Sequence, residues 1–382
     1  MLEIKNTSIF ILLENIRIGG FQRVALDEMY CFAEMGYKVK LIIFSDPLDT
    51  SVASFLKTDS EIIYRLRIET WYVSGSQLNQ FSKLLNSNLD FKNARLVISH
   101  TLRGTVIFRL LRKKIGGKYK IVSTIHQLPT LSAPFQRFKR FVYSNFTDHL
   151  LCYSHAVKKD WEARLNKKTS ILLKLFSKDI AVNRNGIYLG RLPQHEIATR
   201  IVNGADGRLI FIGRMTQWKG LDTFIKLAQT ITLNSFDILL LVPNWNEEYF
   251  DQFSEKLKSR VDVQIGKSVA SISPRKNDVH IYPTNYGDKA IYLESISLNV
   301  LEMAAIGIPS VVTKEGCETW PELQKYDFVL ETSWEDLESV GVAIQRLLSA
   351  QSNFGIDEIR QLIDITNHCN RLLDFLPTSN GV

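Results

Sequence analysis

The sequence predicts an α/β protein built from two doubly wound, parallel-sheet domains. Three observations lead there. Short, nearly continuous apolar runs alternate with segments of helical period, as in parallel sheets covered on both faces. The alternation starts afresh near Leu209, after a polar, irregular stretch around Asn183–Gly207. A chain of 382 residues has the length of two ordinary domains.

Taken in order, the strand candidates of the first half are Ile9–Leu13, Lys38–Phe44, Leu96–Ser99, Lys120–Ile125 and Leu150–Tyr153. Those of the second half are Leu209–Ile212, Ile238–Val242, Val279–Tyr282 and Ser310–Thr313. Between the first two, Gln22–Met35 places Ala25, Met29 and Phe32 at i, i+4 and i+7, and Gly36 is a good C-cap. A helix is expected from about Leu221, and another over Leu298–Ile306. The expected division is a first domain over 1–190 and a second over 191–382, the last helix being a candidate to pack back on the first. In such sheets ligands bind beyond the carboxyl ends of the strands, which places the expected site in the cleft between the domains.

Composition narrows the class. Four scattered cysteines (Cys31, Cys152, Cys317, Cys369) have no CxxC spacing, against a disulfide framework or a structural zinc site. No apolar run approaches the ~20 residues that span a bilayer. The opening MLEIKNTSIFILLEN lacks a basic n-region and reads as a strand, so a cytoplasmic protein is expected. The net charge of +7 conceals an asymmetry. Residues 1–200 hold 31 Lys and Arg against 16 Asp and Glu, and residues 201–382 hold 16 against 24. The densest stretch, 101–150, has ten basic residues and one acidic, Asp148. A basic half and an acidic half point to different partners. The basic one suits something anionic: a membrane surface, a phosphorylated substrate or a nucleic acid.

Five constellations could carry chemistry. Gly19-Gly20 stands between the first strand and a helix beginning near Phe21, where backbone amides can approach an anion. The dinucleotide fingerprint GxGxxG is absent, and a tight strand-to-helix turn explains the same glycines. GRMTQWKG (213–220) puts Arg214 and Lys219 in a loop between a strand and a helix, as a diphosphate site needs. ESISLNVLEMAAIGIPSVV (294–312) is nearly all apolar, yet carries Glu302 on a helical stripe with Leu298, Leu301 and Ala305. A buried carboxylate requires a partner. Either an Arg or Lys side chain or a pair of ligand hydroxyls would serve. Glu294 is expected in the loop before that helix, whose first amides lie at Ser295, Ile296, Ser297 and Leu298. His100, His126 and His155 each follow an apolar run, at strand carboxyl ends. Finally, FQRFKRFVYSNF (135–146) interleaves basic and aromatic residues, as either a membrane-surface helix or one packed on the sheet.

Together these stretches resemble the GT-B-fold glycosyltransferases, specifically the family 4 group (glycosyl transferases group 1). The matching features are Gly19-Gly20 with Arg23, GRMTQWKG, the E-x7-E spacing of Glu294 and Glu302, and GIP (307–309), in the family's order. The resemblance runs from the first strand to at least Val312. It implies a GT-B fold: an acceptor-binding domain (1–190) and a nucleotide-sugar-binding domain (191–382). Arg214 and Lys219 would bind the donor diphosphate, Glu302 the ribose hydroxyls, and Glu294 with the amides of Ser295–Leu298 the donor sugar and phosphate. Gly19 and Gly20 would approach the diphosphate, and His126 would contact the transferred sugar. No cofactor or metal is expected, in keeping with the absence of an Asp-x-Asp triplet. The implied reaction is transfer from a UDP- or GDP-sugar, with retention, to a glycan or lipid-linked acceptor in polysaccharide or lipopolysaccharide synthesis at the inner face of the cell membrane. Two departures from the family pattern stand out: a long segment between Pro283 and Glu294, and no clear counterpart of the usual Asn-Gly turn after the first domain. The alternatives are a GT-B nucleotide-sugar epimerase and a basic nucleic-acid- or membrane-binding protein. A nucleic-acid partner leaves the acidic half and the E-x7-E helix without a purpose.

Overall fold

Strands whose side chains are buried on both faces need helices above and below them, and this chain supplies them twice. The computed structural model describes residues 7–15, 20–45, 59–73, 91, 93–125, 141–143, 145–166, 180–192, 207–216, 219–230, 236–284, 297–312, 320–326, 329–332, 334, 336–350 and 355–376. They fall into two units, Met1–Tyr188 with Ile365–Val382, and Leu189–Asp364.

The first unit holds β1 (Ser8–Leu13), β2 (Lys38–Ile43), β3 (Glu69–Tyr72), β4 (Ala94–Ser99), β5 (Lys120–Ile125), β6 (His149–Cys152) and β7 (Ile180–Val182). They form one parallel sheet in the order β3-β2-β1-β4-β5-β6-β7. The second holds β8 (Arg208–Ile212), β9 (Asp237–Val242), β10 (Val261–Ile265), β11 (Val279–Tyr282), β12 (Ser310–Val312) and β13 (Val329–Glu331), parallel in the order β10-β9-β8-β11-β12-β13. Both orders reverse beside the first strand of the unit, the switch point where doubly wound sheets bind ligands.

The principal helices are α1 (Gly20–Glu34), α2 (Leu102–Ile115), α3 (His155–Asn166), α4 (Leu221–Thr230), α5 (Leu298–Ala305), α6 (Leu337–Ala350), α7 (Ile356–Ile363) and α8 (Ile365–Leu373). Gly36 ends α1 with φ 86°, its amide donating to Ala33 O and that of Tyr37 to Phe32 O. That left-handed closure is available to glycine at little steric cost.

Four strands were not expected from the pattern: β3, β7, β10 and β13. β7 and β13 are three residues each, β3 is only half-buried, and β10 is an exposed sheet edge. None carries an apolar run of four or more residues. The expected linker over 183–207 also needs correction, because its first part is built into the first unit. Asn183 Nδ2 donates to His368 O, the Tyr188 amide donates to Asp27 Oδ2, and Ile187 and Tyr188 are buried. Their partners come from α1 and α8, remote in sequence, so local polarity could not reveal them.

Helix α1 is the buried centre of the first unit, packed between the sheet and α8, with every residue from Val24 to Ala33 out of solvent. Two of those residues are carboxylates. Asp27 is held by Arg23 and by the Tyr188 amide. Glu28 faces two imidazoles, His100 Nε2 at 2.8 Å and His368 Nε2 at 2.7 Å. His368 Nδ1 lies 2.9 Å from the Arg184 carbonyl, which can only accept, so that nitrogen carries a proton. Its Nε2 faces the Glu28 carboxylate. Burial alone would push the Glu28 carboxyl up. The two histidines more than reverse this and bring it to about 2.

In the second unit the same economy of water governs α5, packed against α7, and the inner strand β11, where His280 is fully buried with Nδ1 2.9 Å from Ser310 Oγ. Burial lowers its pKa to about 3.

Glu28→Ala should cost about 3–5 kcal/mol in urea titrations, since it strands buried imidazoles without their counter-charge. A loss below about 1 kcal/mol would contradict the clasp. Acid should act on the second unit through His280. The unfolded chain takes up that proton below its ordinary value of 6.5 and the folded chain does so only near 3. Stability is therefore whole above pH 6.5 and falls by up to about 1.4 kcal/mol per pH unit below it. Thermal melts at pH 7.5 and 5.5 should show a smaller drop for His280→Gln than for the native protein.

Candidate functional site

The second unit builds a polar turn on the carboxyl edge of its sheet, at the switch point. β8 ends at Ile212, and the chain turns through Gly213, exposed Arg214, buried Met215 and half-buried Lys219 before α4 begins. The turn is closed by Thr216 N–H to Arg214 O at 2.8 Å and Lys219 N–H to Thr216 O at 3.1 Å. Gly220 has φ 76°, and a Cβ there would lie 2.1 Å from the Pro283 carbonyl oxygen, so only glycine fits. That contact brings the end of the turn against the end of β11. Lys219 Nζ lies 3.4 Å from the Tyr282 hydroxyl and 5.6 Å from its ring centroid. The ammonium thus lies against an aromatic face, and Arg214 is exposed on the same turn.

Helix α5 is anchored to the same place. Asn299 Nδ2 donates to Ile212 O, the last carbonyl of β8, at 3.2 Å. The start of α5 and the Arg214–Lys219 turn therefore share one corner. Ser297 is the N-cap residue, yet its side chain makes no capping bond. The first amides of α5 lie where the helix favours negative charge, the Val300 amide donating to Ser297 O at 2.9 Å.

One turn further, Glu302 is 6% exposed and ion-paired through Oε1 with Arg191, whose side chain is itself 5% exposed. Of the two partners left open by the sequence, an arginine is therefore present. Arg191 sits in a 3-10 turn (Leu189–Arg191), more than a hundred residues from Glu302, and no sequence spacing singled it out. Tyr282 and Asn299 were missed in the same way: each lies inside or beside an apolar run and is read there as packing.

Other expected residues stand as follows. Glu294, Ser295 and Ile296 lie outside the described residues, as do Gly19 and His126. Gly20 opens α1, exposed, with open space where a Cβ would be. Arg23 is taken up by Asp27 and Asp59, the latter at 2.6 Å. His100 is buried against Glu28, a structural role, and His155 is exposed at the start of α3. Of the basic segment 135–146, residues 141–143 and 145–146 are described, with Phe141 46% exposed. On α2, Arg109 and Arg112 pair with Asp148, while Leu110, Lys113 and Lys114 are exposed. No helix among the described residues is long and apolar enough to cross a membrane.

The same architecture recurs in solved structures. HepE of Anabaena, in complex with UDP and glucose, superposes with a TM-score of 0.65 at 13% identity, covering 96% of this chain and 98% of that one. A glycosyltransferase from Rickettsia africae gives 0.65 at 13% identity, over 97% and 98% of the two chains. The lipopolysaccharide outer core galactosyltransferase WaaB gives 0.56 at 16% identity, over 96% and 98%. The sequence model of Glycosyltransferase Family 4 matches residues 18–172. The chain has the GT-B fold, and the first part of it is similar to Glycosyltransferase Family 4. No curated protein matches its sequence. In this GT-B frame the matched segment takes in α1 and α3, and the Arg214–Lys219 turn and α5 belong to the second unit.

Arg191 and Glu302 form a buried pair whose halves are costly apart. Arg191→Leu should destabilise the second unit by about 3–5 kcal/mol, and adding Glu302→Leu should recover most of it. Chemical denaturation of the two single variants and the double variant measures this. Additive losses would show that the pair is not coupled.

Proposed function

We propose that this GT-B protein moves a sugar from a UDP- or GDP-sugar to a glycan or lipid-linked acceptor, with retention at the anomeric carbon and without a metal. The observation that carries the reading is the corner where Asn299 holds the start of α5 against the Arg214–Lys219 turn. A turn that carries two cations meets a helix N-terminus there, and a diphosphate is the ligand that uses both.

In this mechanism the bond between the anomeric carbon and the diphosphate oxygen breaks. Arg214 and Lys219 stabilise the charge that develops on the leaving group, where preorganised donors contribute most. The acceptor hydroxyl attacks from the face the diphosphate leaves, and a phosphate oxygen takes its proton. No protein nucleophile is required. Glu302 uses one oxygen for Arg191, and a carboxylate has further lone pairs for the vicinal hydroxyls of a ribose. Arg191 then acts as a positioning residue that keeps Glu302 oriented. Glu294, Ser295 and Ile296 take the donor sugar and phosphate in the same reading, with His126 on the transferred sugar.

The basic first half serves the acceptor side. Its charge, with Leu110, Lys113 and Lys114 exposed on α2 and Phe141 exposed further along the chain, suits an anionic lipid-linked acceptor at the inner membrane face. Polysaccharide or lipopolysaccharide assembly is the setting this favours.

A thermal-shift screen against UDP, GDP, ADP and CMP and their common sugars, in EDTA, should show selective stabilisation by one nucleotide. Once the donor is known, Arg214→Ala should slow transfer roughly 100- to 1,000-fold. Undiminished transfer by that variant would remove Arg214 from the mechanism, and silence across the whole screen would remove the donor site.

A further inference from the structure

We infer that Trp245 is the platform on which the base of the nucleotide stacks, flanked by the amides of Asn244 and Asn246 that read its edge. This rests on the donor reading given above and deepens it.

The placement comes from the sheet. β9 lies between β8 and β10. Two backbone bonds stitch the carboxyl ends of the three strands together: Gly213 N–H to Leu241 O at 3.1 Å and Gly266 N–H to Val242 O at 2.8 Å. Trp245 follows Val242 by three residues, and Arg214 follows Gly213 by one. The indole and the proposed diphosphate turn therefore leave the same edge from adjacent strands, about 5 Å apart as strands are spaced.

Trp245 is unusual for that position. Its side chain remains 37% exposed, although an indole is among the most favourable groups to bury. It is nonetheless rigidly backed. Its ring lies 4.8 Å from that of Phe250, which in turn lies 6.1 Å from Phe253, a residue only 2% exposed in the core of the unit. On the neighbouring strand, at the end of β10, Ile265 is 51% exposed and is followed by Gly266, where a Cβ would meet nothing within 4 Å. A flat, firmly supported aromatic surface with an open neighbourhood, on the ligand-binding edge, fits a planar ring laid on it.

The surrounding charge selects what that ring is. Glu247 and Glu248 are exposed immediately after Asn246. They disfavour a second phosphate and favour a neutral ring that offers N–H groups. Asn244 and Asn246 each present a carbonyl and an amino group, which matches the mixed donor and acceptor edge of a nucleobase.

The test uses the full chain and three probes, UDP, GDP and inorganic pyrophosphate, with calorimetric Kd values for the native protein, Trp245→Ala and Trp245→Phe. The better of the two nucleotides should bind Trp245→Ala roughly 5- to 150-fold more weakly, the range of one stacked base, while Trp245→Phe retains most of the affinity. Pyrophosphate should bind all three proteins equally. Quenching of tryptophan fluorescence by the nucleotide should shrink in Trp245→Phe. Unchanged nucleotide affinity in Trp245→Ala overturns the inference and leaves the donor site standing. Equal weakening of nucleotide and pyrophosphate also overturns it, by making Trp245 a support of the turn. If neither nucleotide nor pyrophosphate binds the native protein, the donor reading falls and this inference with it.

Discussion

A carboxylate with no water around it must be matched from inside the protein, and the clasp on Glu28 is where this chain depends on it most. Helix α1 is enclosed by the sheet on one side and α8 on the other, so Glu28 can reach only protein groups. His100 arrives from the end of β4 and His368 from α8. The carbonyl of Arg184 fixes the His368 ring, and Asn183 holds the backbone of His368. One carboxylate thus registers the first helix, the fourth strand, the segment after β7 and the last helix against one another. Replacing the set by apolar residues of similar size need not destabilise the unit, because buried ion pairs are weak evidence for stability. What the charges add is a single permitted arrangement of the four segments.

The second unit repeats the device for a different end. Helix α5 is also buried, and it also carries one carboxylate, Glu302, matched by Arg191. Glu302 lies one turn from the half-buried start of its helix, at the switch point of the sheet. Glu28 lies in mid-helix. The same chemistry therefore reads as architecture in one unit and as a candidate binding group in the other, and position along the helix makes the difference. Gly220 and Asn299 do the fine placement. The first lets the turn come down onto the Pro283 carbonyl, and the second ties α5 to the last carbonyl of β8.

Much of this was legible in the residues. The inner strands announce themselves because burial on both faces demands unbroken apolar runs, and β5 and β11 fall on their expected boundaries. The Arg214–Lys219 turn and the odd carboxylate at Glu302 were visible because polar residues stand out against apolar flanks. The rest depended on partners far apart in sequence. Nothing near Glu302 points to Arg191, and nothing in LVISH separates a histidine that clasps a helix from one that meets a ligand. The edge strands β3 and β10 escaped because an exposed strand has little apolar signal. Nothing in the sequence around Trp245 marks it out, and only the sheet order, β9 beside β8, brings it to the edge that carries the Arg214–Lys219 turn.

The first unit is not continuous in sequence. It opens with β1 and is completed by α8, after the whole of the second unit has been threaded between Tyr188 and Ile365. The Ile365 amide bonds the Ile187 carbonyl at 3.0 Å, so the chain returns beside the point where it left. During synthesis the N-terminal sheet emerges early, but Glu28 must wait for His368, some 340 residues later. Until then α1 presents an apolar face and a half-matched carboxylate to solvent. The nascent first unit is a candidate client for a chaperone while the second unit, unbroken in sequence, can fold at once.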